Sequence, residues 1–332
     1  MTSALRSTHA VQMSSYGPPE VLAYTLVQLP PLGSDEVRIR TIASAVNHTD
    51  LEIRAGHWPI RRPEPFPYIP GVEVLGEVEE VGASVKDVRV GERAITMMQG
   101  LGGVRGERPG GYATHVTVRA DAVAPVPQDV DPFAMAALGL GGVTAHEGLR
   151  RIGRLEGKRV LVTGAAGGVG SAAVAIARAQ GASVLGLVSR PEQSAYVRGL
   201  GAEEVIVAGR GEPARIEPGS IDGVLDTVGA AVFETCLVAL RPGGVLSLVG
   251  AVGGSEVRFD LWDLIRPVTL TGYSSESLDS PALRQAIAAL SDWLTSGAIA
   301  APGWTAVPLA EAARAHAMLE GRGVTGRVLL VP

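Results

Sequence analysis

The stretch RVLVTGAAGGVGSAAVAIA, residues 159–177, limits the fold more than any other part of the chain. It opens as a buried apolar strand, turns through Gly164, Gly167 and Gly170, and continues as a small-residue helix ended by Gly181. Glycines at this spacing between a strand and a helix let the backbone turn tightly and let a pyrophosphate reach the amides. The helix start then offers unpaired N–H groups and a positive dipole end. A glycine motif alone is weak evidence; the surrounding alternation makes it informative. Strands SVLGLVS, EEVIVA, DGVLDTV and GVLSLVG alternate with helices EQSAYVRGLG and AVFETCLVALRPG. The repeat predicts a parallel sheet with helices on both faces that binds a dinucleotide. Gly164, Ala166, Gly167, Gly168, Val169 and Gly170 are its candidate phosphate cradle.

The end of the second strand separates the two nicotinamide cofactors. A carboxylate there would bond the adenosine ribose and repel a 2′-phosphate. This chain has LVSRPEQ instead, where Ser189 supplies a donor and Arg190 a cation that pairs bidentately with phosphate. The reading favours NADPH; the alternative is a solvated Arg190 at a helix start.

Residues 1–125 have a different grammar of short strands broken by Gly and Pro: DEVRIRTIASAV, VLGEVEEVG, RVGERAITM and YATHVTVRADAVAPVP. They predict a compact, barrel-like β domain. GHWPIRRPEPFPYIPG is too proline-rich for a central strand, and MQGLGGVRGERPGG reads as a mobile loop. DPFAMAALGLGGVTAHEGLRRIG reads as a helix with glycine near its middle. The chain ends with helices SPALRQAIAALSDWLTSG and LAEAARAHAMLEG and the strand GRVLLVP.

Composition excludes several function classes. The 332 residues suit two domains, and 46% apolar with 19% charged residues is a globular balance. A net charge of −5 without a basic run argues against a nucleic-acid partner. The single cysteine, Cys236, makes neither an internal disulfide nor a cysteine-rich metal site, and its apolar setting reads as a buried structural thiol. MTSALRSTHAVQM lacks the apolar core of a signal peptide, and no stretch reaches the roughly 18 apolar residues of a membrane span. The expectation is a cytoplasmic protein with no membrane partner.

Taken in order, AVNHTDLEIRAGHWP, IPGVEVLGEVEEVGASVKDVRVGERA, GGYATHV, VTAHEGL, VTGAAGGVG, DGVLDTVG, LRPGGVLSLVG and TGRVLLV cover nearly the whole chain. This series resembles the zinc-free quinone oxidoreductase branch of the medium-chain dehydrogenase/reductases. The resemblance implies an α/β protein: a GroES-like β-barrel catalytic domain over 1–125, a doubly wound Rossmann NADPH-binding domain over 126–265, and a return over 266–332 that completes the first. It also implies an active site in the interdomain cleft and a homodimer. By the same resemblance Thr144 lines the nicotinamide, and Val228, Gly250 and Ala251 join the cofactor site. Asn47 lies near the nicotinamide ribose or the substrate carbonyl, where its amide can donate. His48 either faces the cofactor phosphates or is a surface histidine. Asp50 is either catalytic or holds its loop through backbone bonds.

In the zinc enzymes of that family a cysteine precedes HTD and a histidine stands in GHE. Here those positions are Asn47 and Val72, which leaves Glu73 as a lone carboxylate. The four-cysteine loop is missing and the six histidines form no H-x-x-x-H pair. The expectation is a metal-free site.

Hydride transfer to an enone leaves an enolate that needs a proton. Trp58 and Glu52 stand where relatives carry tyrosines, which puts enoyl-thioester reduction in doubt. His57 is the nearest group titrating near neutrality and solvent is the other source. Trp58, Met97 and Met98 are candidate walls of an apolar substrate pocket, with core packing as the competing reading. The leading expectation is an NADPH-dependent, zinc-free reductase of a small quinone or conjugated carbonyl. The alternatives are a pathway-specific reductase of an enoyl or polyketide intermediate, and a low-turnover NADPH-binding sensor or structural protein.

Overall fold

The computed structural model describes residues 6–332, apart from 210, 211, 213 and 322. The chain divides into two compact units. One holds residues 1–139, 278–291 and 303–332; the other holds 140–277 and 292–302.

The first unit begins with β1 (Ser7–Gln12) and β2 (Ala23–Gln28), an antiparallel pair. Next come β3 (Glu36–Ala45), α1 (His48–Ala55), β4 (Glu73–Val81), β5 (Arg93–Met97), β6 (His115–Arg119) and β7 (Val123–Val126). Alternating Val and Ile turn one face of these strands inward. Val37, Ile39, Val74, Val78, Val116, Val118 and Val123 share one core. The short helix α1 was not visible as a helix against the β-rich background. It starts at Asn47, whose backbone N–H donates to the Asp50 carboxylate at 2.9 Å, and ends at Gly56.

α2 (Pro132–Arg150) is interrupted at Gly139, where φ 35° and ψ −135° break the helical path. A Cβ at Gly139 would stand 2.0 Å from Glu73 Oε2, so only glycine lets the chain pass that carboxylate. The two units divide in the chain at this residue, whereas the change of sequence grammar lies near residue 130.

The second unit contains β8 (Arg159–Thr163), α3 (Gly168–Ala179), β9 (Ser183–Val188), α4 (Ser194–Gly199), β10 (Glu204–Val207), β11 (Ile221–Asp226), α5 (Ala230–Ala239), β12 (Leu240–Leu248), α6 (Trp262–Ile265) and β13 (Thr269–Gly272). Its sheet is parallel, in the order β10-β9-β8-β11-β12-β13. The order runs outward from β8 in both directions, which places a topological switch point between β8 and β11. Leu161, Leu185, Val224, Phe233, Leu237 and Leu246 form its core, with Cys236 fully buried among them. The helix expected over AVFETCLVALRPG stops at Ala239, and Arg241, Pro242 and Gly243 belong to β12. Proline has no N–H to continue the helix, so the chain leaves it before Pro242.

α7 (Ser280–Thr295) buries Leu283, Ala286, Ile287 and Leu290 on one stripe. Each fully buried Leu or Ile contributes about 1.5–3 kcal/mol. β14 (Trp304–Pro308), α8 (Ala312–Glu320) and β15 (Arg327–Val331) return to the first unit. β15 lies antiparallel to β3, with Leu329 opposite Ala45, and Val46 N–H donates to Val328 O at 2.9 Å. This register carries Arg327 to the start of α1. No helix among the described residues is long and apolar enough to cross a membrane.

Candidate functional site

In the second unit, Gly164 leaves β8 with φ 58°, and α3 begins at Gly168. A Cβ at Gly170 would stand 2.2 Å from Gly164 O, so the turn closes only with glycine there. Gly167 is exposed and Gly168 and Val169 are half-buried, whereas Ala166 and Gly170 are buried. The first amides of α3 therefore face an open turn at the switch point, where the geometry suits a pyrophosphate. Ser189 follows β9 and is exposed; Arg190 is half-buried and pairs loosely with Glu192 at 3.4 Å. Val228 and Gly250 follow the ends of β11 and β12 and are half-buried, with Ala251 exposed beside them. Thr144 is buried in the second half of α2.

Three residues that the sequence reading did not single out organise this edge. Thr163 donates to Asp226 Oδ1 at 2.6 Å, and the same oxygen accepts from Val228 and Gly229 N–H. Thr227 donates back to Thr163 O at 2.9 Å. Burial pushes the Asp226 carboxyl up against the pull of those donors. The sequence signal was available: a carboxylate inside the apolar run GVLDTV.

In the first unit, a buried polar cluster forms at the start of α1. Asn47 Nδ2 donates to Glu73 Oε1 at 2.8 Å and to Ala45 O at 3.2 Å. Arg327 Nη2 donates to Asn47 Oδ1 at 3.0 Å and to Glu73 Oε1 at 2.6 Å. Glu73 and Arg327 thus form an ion pair with both side chains more than nine-tenths buried. Removing one partner would strand a buried charge, at a cost of about 3–5 kcal/mol. Both N–H groups of Asn47 are engaged, so its amide reaches a ligand oxygen only by exchanging one of them.

Asp50 lies behind this cluster, fully buried, and accepts from Asn47 N–H and from Val72 N–H at 3.1 Å. It ties α1 to the segment before β4 and presents nothing to a ligand, which corrects its placement among groups touching substrate. Burial lifts its carboxyl to about 7, and the Glu73 charge adds to the rise. Donors from Asn47, Tyr112 and Val72 oppose it. The Tyr112 hydroxyl also meets His316 Nε2 at 3.1 Å. Burial, with the Arg54 charge beyond it, holds His316 down at about 3.

The other candidates separate. His48 and His57 share Glu52: His48 Nε2 meets Oε1 at 3.1 Å and His57 Nδ1 meets Oε2 at 2.9 Å. The His57 side chain is 70% exposed. Trp58 is about half exposed. Met97 is 0% exposed, the last inward residue of β5, and is core rather than pocket wall. Met98 is half-buried, with its N–H on Val72 O at 2.8 Å. At φ 44° it is the one non-glycine residue with positive φ among those described. A strained backbone beside a polar cluster fits a functional position. The loop after it is pinned rather than loose: Gly110 and Gly111 N–H donate to Ile69 O and Gly71 O, and Leu101 and Val104 are buried.

Among the described residues no group of three His, Cys, Asp or Glu has the arrangement to hold a metal ion. Glu73, the carboxylate left at the expected ligand positions, is committed to Arg327.

Comparison with known proteins agrees with this architecture. Residues 33–128 match the family described as alcohol dehydrogenase GroES-like domain, and residues 168–293 match zinc-binding dehydrogenase. A quinone oxidoreductase of Pseudomonas aeruginosa is 34% identical over 97% of this chain and 99% of its own. A 2-haloacrylate reductase of a Burkholderia species is 32% identical over 95% and 96%. The structure of Escherichia coli quinone oxidoreductase complexed with NADPH superposes with a TM-score of 0.83 at 26% identity, covering 98% of this chain and all of the other. The chain belongs to the quinone oxidoreductase-like branch of the medium-chain dehydrogenase/reductase superfamily.

Proposed function

We propose that the chain is an NADPH-dependent, zinc-free reductase of a quinone or an α,β-unsaturated carbonyl compound. The observation that carries this reading is the glycine cradle at the β8–α3 turn, with Ser189 and Arg190 at the end of β9 where a carboxylate would select NADH. The cradle fits the group: a Cβ at Gly170 would collide with Gly164 O and break the turn that shapes it, and the first turn of α3 is open to phosphate oxygens. Gly164 to Gly170 would hold the pyrophosphate, Ser189 and Arg190 the 2′-phosphate, and Thr144, Val228, Gly250 and Ala251 the nicotinamide half. When bound, the reduced nicotinamide supplies hydride to an electron-poor carbon.

The protein then orients the acceptor and stabilises the charge that builds on its oxygen. Asn47 is the residue assigned to that oxygen, and Met98 and Trp58 are the apolar contacts assigned to the ring or alkene. The donor set supports chemistry without zinc, because Asn47 is a poor ligand, Val72 is none, and Glu73 is neutralised by Arg327. Water supplies the proton, directly or through the exposed His57–Glu52 pair.

The likeness to a 2-haloacrylate reductase favours a second substrate class of the same reaction, a conjugated carboxylate. NADPH oxidation measured at 340 nm against a benzoquinone, an alkyl vinyl ketone and an acrylate separates the classes. NADPH binding without oxidation of any of them would contradict the proposal and favour a nucleotide-binding role.

We also assign a cytoplasmic homodimer to the chain, paired through the β13 edge. That strand ends the parallel sheet, and Leu261, Trp262 and Ile265 lie just before it, each more than two-thirds exposed.

A further inference from the structure

The cluster of Asn47, Glu73 and Arg327 admits only one orientation of the amide. A guanidinium only donates, so the Asn47 atom facing Arg327 is Oδ1. A carboxylate only accepts, so the atom facing Glu73 is Nδ2. Flipping the amide would set its NH2 against a cation and its oxygen against an anion. The remaining Nδ2–H points to Ala45 O at 3.2 Å, the longest contact of the set and one without a charged partner. It is therefore the cheapest N–H to transfer to a ligand oxygen. Asn47 itself retains 7% exposure.

We propose that Arg327 is a positioning residue for Asn47, and that Glu73 holds Arg327 in place for that task. Arg327 locks the amide so that Nδ2 keeps its donor side fixed, and its charge on Oδ1 draws electron density out of the amide and strengthens the N–H as a donor. The residue comes from 280 positions away in the chain, delivered by the pairing of β15 with β3. This inference rests on the reading above, in which Asn47 serves the acceptor oxygen.

The test is a double-mutant cycle on the full-length protein with Asn47→Ala, Arg327→Lys and the double variant. It is read as kcat and KM with a benzoquinone, alongside NADPH affinity by nucleotide fluorescence. Lysine keeps the charge beside Glu73, but its ammonium is a point charge on a flexible stem and lacks the rigid guanidinium plane that sets one nitrogen, Nη2, between Asn47 Oδ1 and Glu73 Oε1. Arg327→Lys is expected to lower kcat about tenfold, and to leave NADPH affinity within about twofold because the nucleotide cradle is untouched. Asn47→Ala is expected to lose as much, and the double variant no more than the worse single one. Losses that multiply in the double variant, or an Arg327→Lys enzyme with wild-type kcat, would overturn the proposal.

If Arg327→Lys does not fold, Glu73→Gln/Arg327→Gln removes both charges together and avoids a stranded ion. A folded, slow enzyme supports the positioning role, and a folded enzyme with wild-type kcat refutes it. A wild-type protein that fails to oxidise NADPH with any of the acceptors tried sinks the functional reading, and this inference with it. Multiplicative losses in an active enzyme sink the inference alone.

Discussion

At the level of single residues, the site divides into side chains that hold and side chains that remain available. Asp50, Glu73, Arg327, Tyr112 and His316 are spent on one another or on the backbone. Ser189 and Arg190 are not: one is exposed, and the guanidinium of the other meets the exposed Glu192 in a loose 3.4 Å ion pair. Arg190 is therefore free to exchange Glu192 for a 2′-phosphate. Arg190→Ala is expected to raise the KM for NADPH by about tenfold or more and to leave that for NADH nearly unchanged, since a bidentate charged contact contributes about 1.5–3 kcal/mol. Equal losses for both cofactors in steady-state kinetics would show that Arg190 does not read the phosphate.

The sequence carried the identity of Asn47 and Glu73 because they stand in recognisable local strings. It did not carry Arg327, whose partners lie 254 and 280 positions away. Nor could periodicity separate Met97 from Met98, adjacent residues that the end of β5 sends to different environments.

At the level of elements, the strong periodic segments were legible: the β8–α3–β9 unit, α7 and β15 all follow from apolar spacing and glycine placement. Elements without such a pattern were not. α1 spans eight residues with a weak apolar stripe, and its capping signals, Asn47 with Asp50 and Gly56, are easily masked by the β-rich context. Arg54 of that helix pairs with Glu320 of α8, and the buried His316 of α8 gives this region a pH signature. His316 is held neutral down to about pH 3 by burial, whereas an unfolded histidine takes a proton near 6.5. A depressed base favours the folded state above about 6.5 and loses that contribution as pH falls. The Asp50 carboxyl works in the opposite sense: raised to about 7, it favours folding at low pH and loses that contribution as pH rises from about 4 to 7. In denaturant unfolding, the stability of wild type relative to His316→Gln should shrink by about 1 kcal/mol per pH unit between about pH 6.5 and 5. A gap that stays constant or widens across that interval would mean that His316 is protonated in the fold.

At the level of the whole molecule, the two architectures were readable because each has its own grammar, short Gly- and Pro-broken strands in one and strand–helix alternation in the other. The closing of the first unit by β14 and β15 rests on pairing between chain ends, which local propensity does not encode. The assembly proposed through the β13 edge depends on the apolar surface at Leu261, Trp262 and Ile265. Trp262→Glu, at a residue 74% exposed, should leave the fold intact and halve the mass seen by sedimentation velocity. A variant that sediments as the wild type does would place any interface elsewhere.

The central claim is that the β8–α3 turn and the end of β9 bind the phosphorylated dinucleotide for hydride transfer. The most direct test is kcat/KM for NADPH and for NADH with one quinone acceptor, measured in the presence of a zinc chelator. Turnover is expected to survive chelation, with a preference for NADPH of about tenfold or more. Equal use of NADH, or activity abolished by the chelator and restored by zinc, would contradict it.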